Sequence, residues 1–207
     1  MDCSSCAAEL AWRFVSSGSD DWGLLADTVV KIATRLWEVC GLMESTISYH
    51  EAGHAVIASW LGAQVLSVTI DPDRDEGPRR DGDVSIRWSR RGLTSRELCE
   101  RELMAVLAGP IAEMVHLDER HAIDSRAEWA VDWQIAWELA SELIAAPKAR
   151  YAMIHAVCER LFMLVSREDC WQAIAEVADQ LEAHETIEGE TVDECVERWL
   201  GQRQTRP

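Results

Sequence analysis

The sequence predicts a mainly α-helical fold with one small antiparallel β-hairpin. Three observations predict this class: apolar residues recur at helical spacing over most of the chain, one stretch alternates as strands do, and turn residues separate the segments. At 207 residues, with 48% apolar and 28% charged residues, the chain can form one sizeable core. We expect a helical appendage over residues 1–44, a main domain over 45–200 and a tail over 201–207.

The first predicted helix lies in the appendage, and the second opens the main domain. The appendage carries an amphipathic helix that ends near Gly41. Ser45 or Thr46 can cap the next helix, because their hydroxyls accept hydrogen bonds from the free N–H groups of the first turn. This second helix is predicted to end near Gly62, since glycine commonly follows a helix C-terminus.

After the second helix the pattern changes to strands and then returns to helices. β-branched residues alternate over 65–70 and 84–88, which predicts two antiparallel strands joined by a long polar loop. An exposed edge of such a hairpin can accept an extended peptide as an added strand. The rest of the chain has helical periodicity. The predicted helices cover residues 95–115, 127–146, 151–166, 168–184 and 191–200.

The second helix contains the segment His50-Glu51-Ala52-Gly53-His54, which has the form H-E-x-x-H. Residues i and i+4 lie one turn apart on the same helix face, so both imidazoles can bind one metal ion. Glu51 then lies beside the ion, where its carboxylate can take a proton from a metal-bound water. Imidazole and carboxylate ligands favour Zn²⁺, while Fe²⁺, Co²⁺ and Mn²⁺ stay open.

A third metal ligand is predicted at Asp132. On its helix this residue shares a face with apolar side chains, where an isolated charge would cost several kcal/mol without a cation. The alternatives lie in the preceding polar loop or in the first turn of the helix, where a carboxylate is already favoured by the helix dipole. These alternatives are His116, His121, Asp124 and Glu128.

Four segments together resemble the peptidase domain of the FtsH-type ATP-dependent zinc metalloproteases. Residues 50–55 match that family's His-Glu-Ala-Gly-His-Ala segment, and residues 107–113 are similar to its Leu-Gly-Gly-Arg-Ala-Ala-Glu helix. Asp132 and Ala136 match the Asp and Ala of its Asp-x-x-x-Ala-Thr segment. Residues 181–190 are similar to the closing Leu-x-x-x-Glu-Thr-Ile/Leu-x-Gly-Glu.

The resemblance covers residues 47–199 and implies a zincin-like metallopeptidase helical domain. Pro110 stands where the family has Arg, Met114 where it has a second Glu and Trp137 where it has Thr. Full-length members also carry a membrane anchor and an ATPase, whereas neither a G-x-x-x-x-G-K-[ST] motif nor a spanning segment can be read in this sequence. We therefore expect a stand-alone peptidase domain. By resemblance, the zinc ligands are His50, His54 and Asp132, the base is Glu51, and Glu113 supports a ligand histidine. From the residue itself, a solvated Glu113 on the flank of its helix is the alternative.

The expected function is zinc-dependent, ATP-independent hydrolysis of unfolded proteins or peptides. The alternative is a catalytically weak or inactive regulatory protein that partners a separate ATPase. A net charge of −17 argues against nucleic acid and anionic membranes as partners. We expect a cytoplasmic location, because no signal-type N-terminal segment is present, and reduced thiols, because seven cysteines are scattered without a disulfide framework.

Three tryptophans recur at helical spacing around the third predicted ligand. Trp129, Trp133 and Trp137 stand at i, i+4 and i+8 and are predicted to form an aromatic stripe. Packing against a neighbouring helix is the first interpretation. A contact between copies of the chain, and hence a homo-oligomer, or the wall of a pocket for apolar side chains are the alternatives.

Overall fold

A computed structural model describes residues 45–71, 82–120 and 129–201. The chain divides into two compact units, residues 1–45 and 46–207, and the second contains the H-E-x-x-H segment. Several predictions fall outside the described residues: the helix of the appendage, most of the loop between the two strands, and the ligand candidates His121, Asp124 and Glu128.

Helix α1, residues 45–60, is the central helix of the second unit. Every residue from 51 to 59 except His54 is buried, so other elements surround this helix on all sides. The completely buried Ser59 hydroxyl donates a 2.7 Å hydrogen bond to Asp193, which satisfies this polar group within the core. Gly62 follows with a φ of 91°, the left-handed conformation that ends many helices.

The sheet has three strands, in the order β2-β1-β3. Strands β1 (Gln64–Thr69) and β2 (Asp83–Arg87) pair antiparallel, which confirms the predicted hairpin. Strand β3 (Thr186–Glu188) pairs antiparallel with β1 on its other side. The sheet therefore has three strands, and the prediction of two was wrong. Three residues are too few to show strand alternation. Because β1 is central, β2 is an edge strand of this sheet.

Five further helices follow in the described residues. Helix α2 packs on α3 and α4, α5 packs on α6, and α6 packs on β1. None of the described helices is both long enough and apolar enough to span a membrane. The bounds of α5 agree with the prediction. The helices are α2 (Ser95–His116), α3 (Ala130–Leu143), α4 (Pro147–Val165), α5 (Glu168–His184) and α6 (Gly189–Leu200).

Several helix boundaries differ from the prediction by one to four residues, and the largest differences lie between α3 and α4. Pro147 was expected to stop α3, but α3 ends at Leu143 and Pro147 opens α4. Proline is well suited to the first turn, because its missing N–H has no partner there in any helix. Thr94 caps α2: its hydroxyl accepts from the Glu97 N–H at 3.2 Å, and the Glu97 carboxylate accepts from the Thr94 N–H at 2.9 Å.

Candidate metal centre

Three side chains from two helices converge at one point: His50 and His54 on α1, and Asp132 on α3. The Nε2 atoms of the two histidines are 3.1 Å apart. Asp132 places Oδ2 at 3.2 Å from His50 Nε2 and Oδ1 at 3.5 Å from His54 Nε2, and the three side chains are 12% to 15% exposed. Among the described residues, this is the one group of three such side chains with ligand atoms close enough to share an ion.

The other ring nitrogen of each histidine faces an acceptor. His50 Nδ1 lies 3.2 Å from Glu113 Oε2, and His54 Nδ1 lies 2.8 Å from the carbonyl oxygen of Ala105. A carboxylate and a carbonyl can only accept, so both Nδ1 atoms are assigned the ring proton. In the neutral rings, both Nε2 lone pairs then point toward each other and toward the Asp132 carboxylate. Such an arrangement of lone pairs is satisfied either by a proton on one Nε2 or by a metal ion between the three groups.

The donor set and its spacing fit zinc. Ligands at about 2.0–2.1 Å from a tetrahedral zinc ion lie about 3.3 Å from each other. The three observed separations, 3.1, 3.2 and 3.5 Å, bracket that value. Two imidazoles and one carboxylate also form a ligand set that leaves one tetrahedral position open, as in catalytic zinc sites.

The electrostatics of the cluster favour positive charge at this point. Burial by itself lowers the pKa of His50, but hydrogen bonds to Asp132 and Glu113, reinforced by Glu51, outweigh it and raise the pKa of His50 to about 10. Burial raises the pKa of Asp132, yet the nearby imidazoles of His54 and His50 leave it below its usual value. A divalent cation supplies the same positive charge that a proton on His50 supplies, and zinc binding displaces such a proton.

Glu51 is a buried carboxylate next to this cluster. It is 8% exposed, and its burial raises its pKa, opposed by the neighbouring His50 and His54. The backbone of Gly82, directly before β2, covers its side chain: a Cβ built on Gly82 would lie 2.5 Å from Glu51 Oε1. A raised pKa makes a carboxylate a stronger base, which is a property of general acid–base groups.

Glu113 lies on α2 and is 5% exposed. Its Oε2 lies 3.2 Å from His50 Nδ1 and accepts a 2.7 Å hydrogen bond from the indole N–H of Trp129. The sequence left open whether this carboxylate is solvated or supports a histidine, and the structure places it on His50. The contact with Trp129 was missed, because the sequence groups that residue with the aromatic stripe and gives no signal of an indole directed at α2.

Small residues let α2 approach α1 closely. A Cβ on Gly53 would lie 2.6 Å from both the Ala108 carbonyl oxygen and the Ala112 Cβ, so these helices touch through their backbones here. Gly109 lies against the imidazole of His54, where a Cβ would come within 2.6 Å of Cε1 and 2.7 Å of Cδ2. The sequence alone did not connect Gly109 with a metal ligand.

The remaining aromatic candidates lie outside the cluster. His116 stacks on Tyr49 with ring centroids 3.9 Å apart, so it is not brought to the metal ligands. Trp133 lies 5.9 Å from the ring of Tyr151 on α4 and 5.8 Å from Trp137, which confirms the packing interpretation for these two tryptophans. The first member of the predicted stripe differs, since Trp129 precedes α3 and is completely buried.

The chain has no match among protein-family models or among curated proteins. The likeness to FtsH-type peptidases rests on the four sequence segments.

Proposed function

We propose that this protein is a zinc metalloendopeptidase of the H-E-x-x-H type, which hydrolyses peptide bonds of unfolded proteins or peptides without ATP. The observation that carries the proposal is the convergence of His50 Nε2, His54 Nε2 and the Asp132 carboxylate, with the buried carboxylate of Glu51 beside them. Zinc at such a centre supplies Lewis acidity, which polarises a scissile carbonyl and acidifies water.

Glu51 has the properties of the general acid–base group. Its burial raises the pKa of the carboxyl group above its usual value, which makes the carboxylate a stronger base toward water. In the proposed reaction Glu51 takes a proton from the attacking water and gives it to the leaving amine. The backbone at Gly82 covers this side chain and limits its access to bulk water.

The edge strand β2 is the proposed binding site for an extended substrate. Gly82 directly precedes β2 and lies against Glu51, so a peptide that pairs with the strand would pass the centre. In the described residues β2 pairs with β1 on one side only. Pairing of this kind requires a free backbone, which favours unfolded chains as substrates. Independence of ATP is proposed because the sequence contains no G-x-x-x-x-G-K-[ST] motif.

The test is the variant Glu51→Gln, which keeps the shape of the side chain and removes its basicity. We expect zinc content to stay at the parental level and turnover of casein or a quenched peptide library to fall by roughly 100-fold or more. Glu138→Gln, at an exposed position of α3, is the matched control and should cleave at the parental rate. Equal cleavage by Glu51→Gln and the parent, with contaminating protease excluded, would contradict the role of Glu51.

Zinc binding without chelator-sensitive cleavage would instead support the regulatory alternative. In that outcome the centre holds a metal, and the chain acts by binding other proteins. The identity of the metal, a cytoplasmic location and a homo-oligomeric state stay predictions of the sequence.

A further inference from the structure

Trp129 links the protein core to a proposed zinc ligand through a chain of two hydrogen bonds. Its indole is completely buried, and its Nε1 donates to Glu113 Oε2 at 2.7 Å. The same oxygen lies 3.2 Å from His50 Nδ1, on the side of the imidazole opposite to the metal-facing Nε2. The orientation of His50 therefore depends on where the Glu113 carboxylate is held.

A glutamate carboxylate is not fixed by its own side chain. The terminal torsion of glutamate is broad, so one hydrogen bond by itself does not fix the plane of a glutamate carboxylate. A second donor at Oε2, from a ring that cannot move because it is buried, removes that freedom. A hydrogen bond to a carboxylate is also among the stronger kinds, and 2.7 Å is a short distance for a nitrogen donor.

We infer that Trp129 is a positioning residue of the metal centre: its indole N–H fixes the Glu113 carboxylate that orients His50 and keeps the ring proton on Nδ1. This inference rests on the proposed metal site. Partners of metal-bound histidines hold the ring in the tautomer that offers its free nitrogen to the metal. Trp129 acts one step further out, through Glu113, and touches neither substrate nor metal.

The variant Trp129→Phe tests the role, since phenylalanine keeps an aromatic ring in the core and removes only the donor and part of the volume. Zinc affinity is measured by competition with a chromophoric chelator, and the ligand field by the absorption spectrum of the Co²⁺ form. We expect zinc affinity to fall by roughly threefold to thirtyfold, somewhat less than the loss typical for a direct partner of a ligand. Trp133→Phe, which removes a half-buried tryptophan packed on α4, should stay within about twofold of the parent.

A double-mutant cycle separates positioning from packing. If Trp129 acts through Glu113, then Trp129→Phe combined with Glu113→Ala should bind zinc about as well as Glu113→Ala alone, because alanine has no side-chain acceptor for the indole N–H to hold. Additive losses would show that the indole acts on the centre by packing alone and would overturn the inference.

The outcomes distinguish this inference from the proposed function. If the parent binds one zinc and Trp129→Phe binds it with the same affinity and the same Co²⁺ spectrum, the inference is overturned and the metal site stands. If the parent binds no zinc, both the positioning role of Trp129 and the proposed zinc site are contradicted. Should Trp129→Phe not fold, the NMR signals of the tryptophan indole N–H protons in the parent provide the test. We expect one downfield signal that shifts in Glu113→Gln and on addition of zinc. If no indole signal shifts under either change, the inference is overturned.

Discussion

For the substitution Gly109→Ala, general helix energetics predict a more stable protein, whereas the structure predicts a less stable one. Alanine in place of glycine inside a helix normally stabilises a protein by about 1 kcal/mol. Gly109 lies within α2, and its backbone faces the ring of His54. The added methyl group would come within 2.6 Å of Cε1 and 2.7 Å of Cδ2 of that ring. We therefore expect destabilisation and a damaged metal centre.

The magnitude follows from the size of the overlap. Carbon atoms in good contact are about 3.5–4.0 Å apart, so the imidazole of His54 must retreat by about 1 Å. The ring is held by the 2.8 Å hydrogen bond from Nδ1 to the carbonyl of Ala105, and this bond would be stretched or lost. Overpacking typically costs about 1–3 kcal/mol. Metal–ligand distances tolerate only about 0.2 Å, so zinc affinity should fall by at least about tenfold.

The assay combines zinc affinity by chelator competition with thermal unfolding of the chelated protein. Gly92→Ala is a control for the same change at a glycine with nothing within 4 Å of the added methyl group, although its positive φ of 76° carries a small strain of its own. Gly92→Ala should leave zinc affinity at the parental value. A Gly109→Ala protein that is more stable than the parent and binds zinc equally well would refute the contact between α2 and His54.

Three further predictions concern the ligands and the thiols. Asp132→Ala should lower zinc affinity at least about tenfold with the fold retained, as measured by chelator competition and circular dichroism, whereas Glu138→Ala on the same helix should not. After removal of zinc, the free energy of unfolding should fall as pH rises from 6.5 through 10, because the pKa of His50 is raised from 6.5 to about 10 in the folded protein; zinc-loaded protein should not show this loss in pH-dependent urea titrations. Cys99 and Cys170, whose pKa values burial raises to about 11 and about 12, should react with iodoacetamide at pH 8 far more slowly in the native than in the urea-unfolded protein, as followed by mass spectrometry.

Local sequence patterns predict the elements that depend on near neighbours. Helix α5 was predicted at its observed bounds, since an amphipathic repeat and acidic residues in its first turn define it locally. The pair His50 and His54 follows from helix geometry alone. Asp132 was predicted from its place among apolar residues of its helix, and it lies beside the two histidines although Ile135, three residues further along, is 41% exposed.

Contacts between distant segments account for what the sequence did not predict. The approach of Gly109 to His54, the cover of Gly82 over Glu51 and the bond from Trp129 to Glu113 each join two elements whose relative placement no local pattern encodes. Strand β3 belongs to the same class. Its three residues are a strand only because β1 pairs with them.

Zinc-dependent recovery of peptidase activity tests the central claim most directly. The purified chain is stripped with a chelator, zinc is added back in substoichiometric steps, and cleavage of an unfolded substrate is followed at each step. We predict no cleavage by the stripped protein and a rise that saturates at one zinc per chain in the parent. Cleavage that persists through chelation, or a stripped protein that takes up no zinc at any concentration, would contradict a metal centre built from His50, His54 and Asp132.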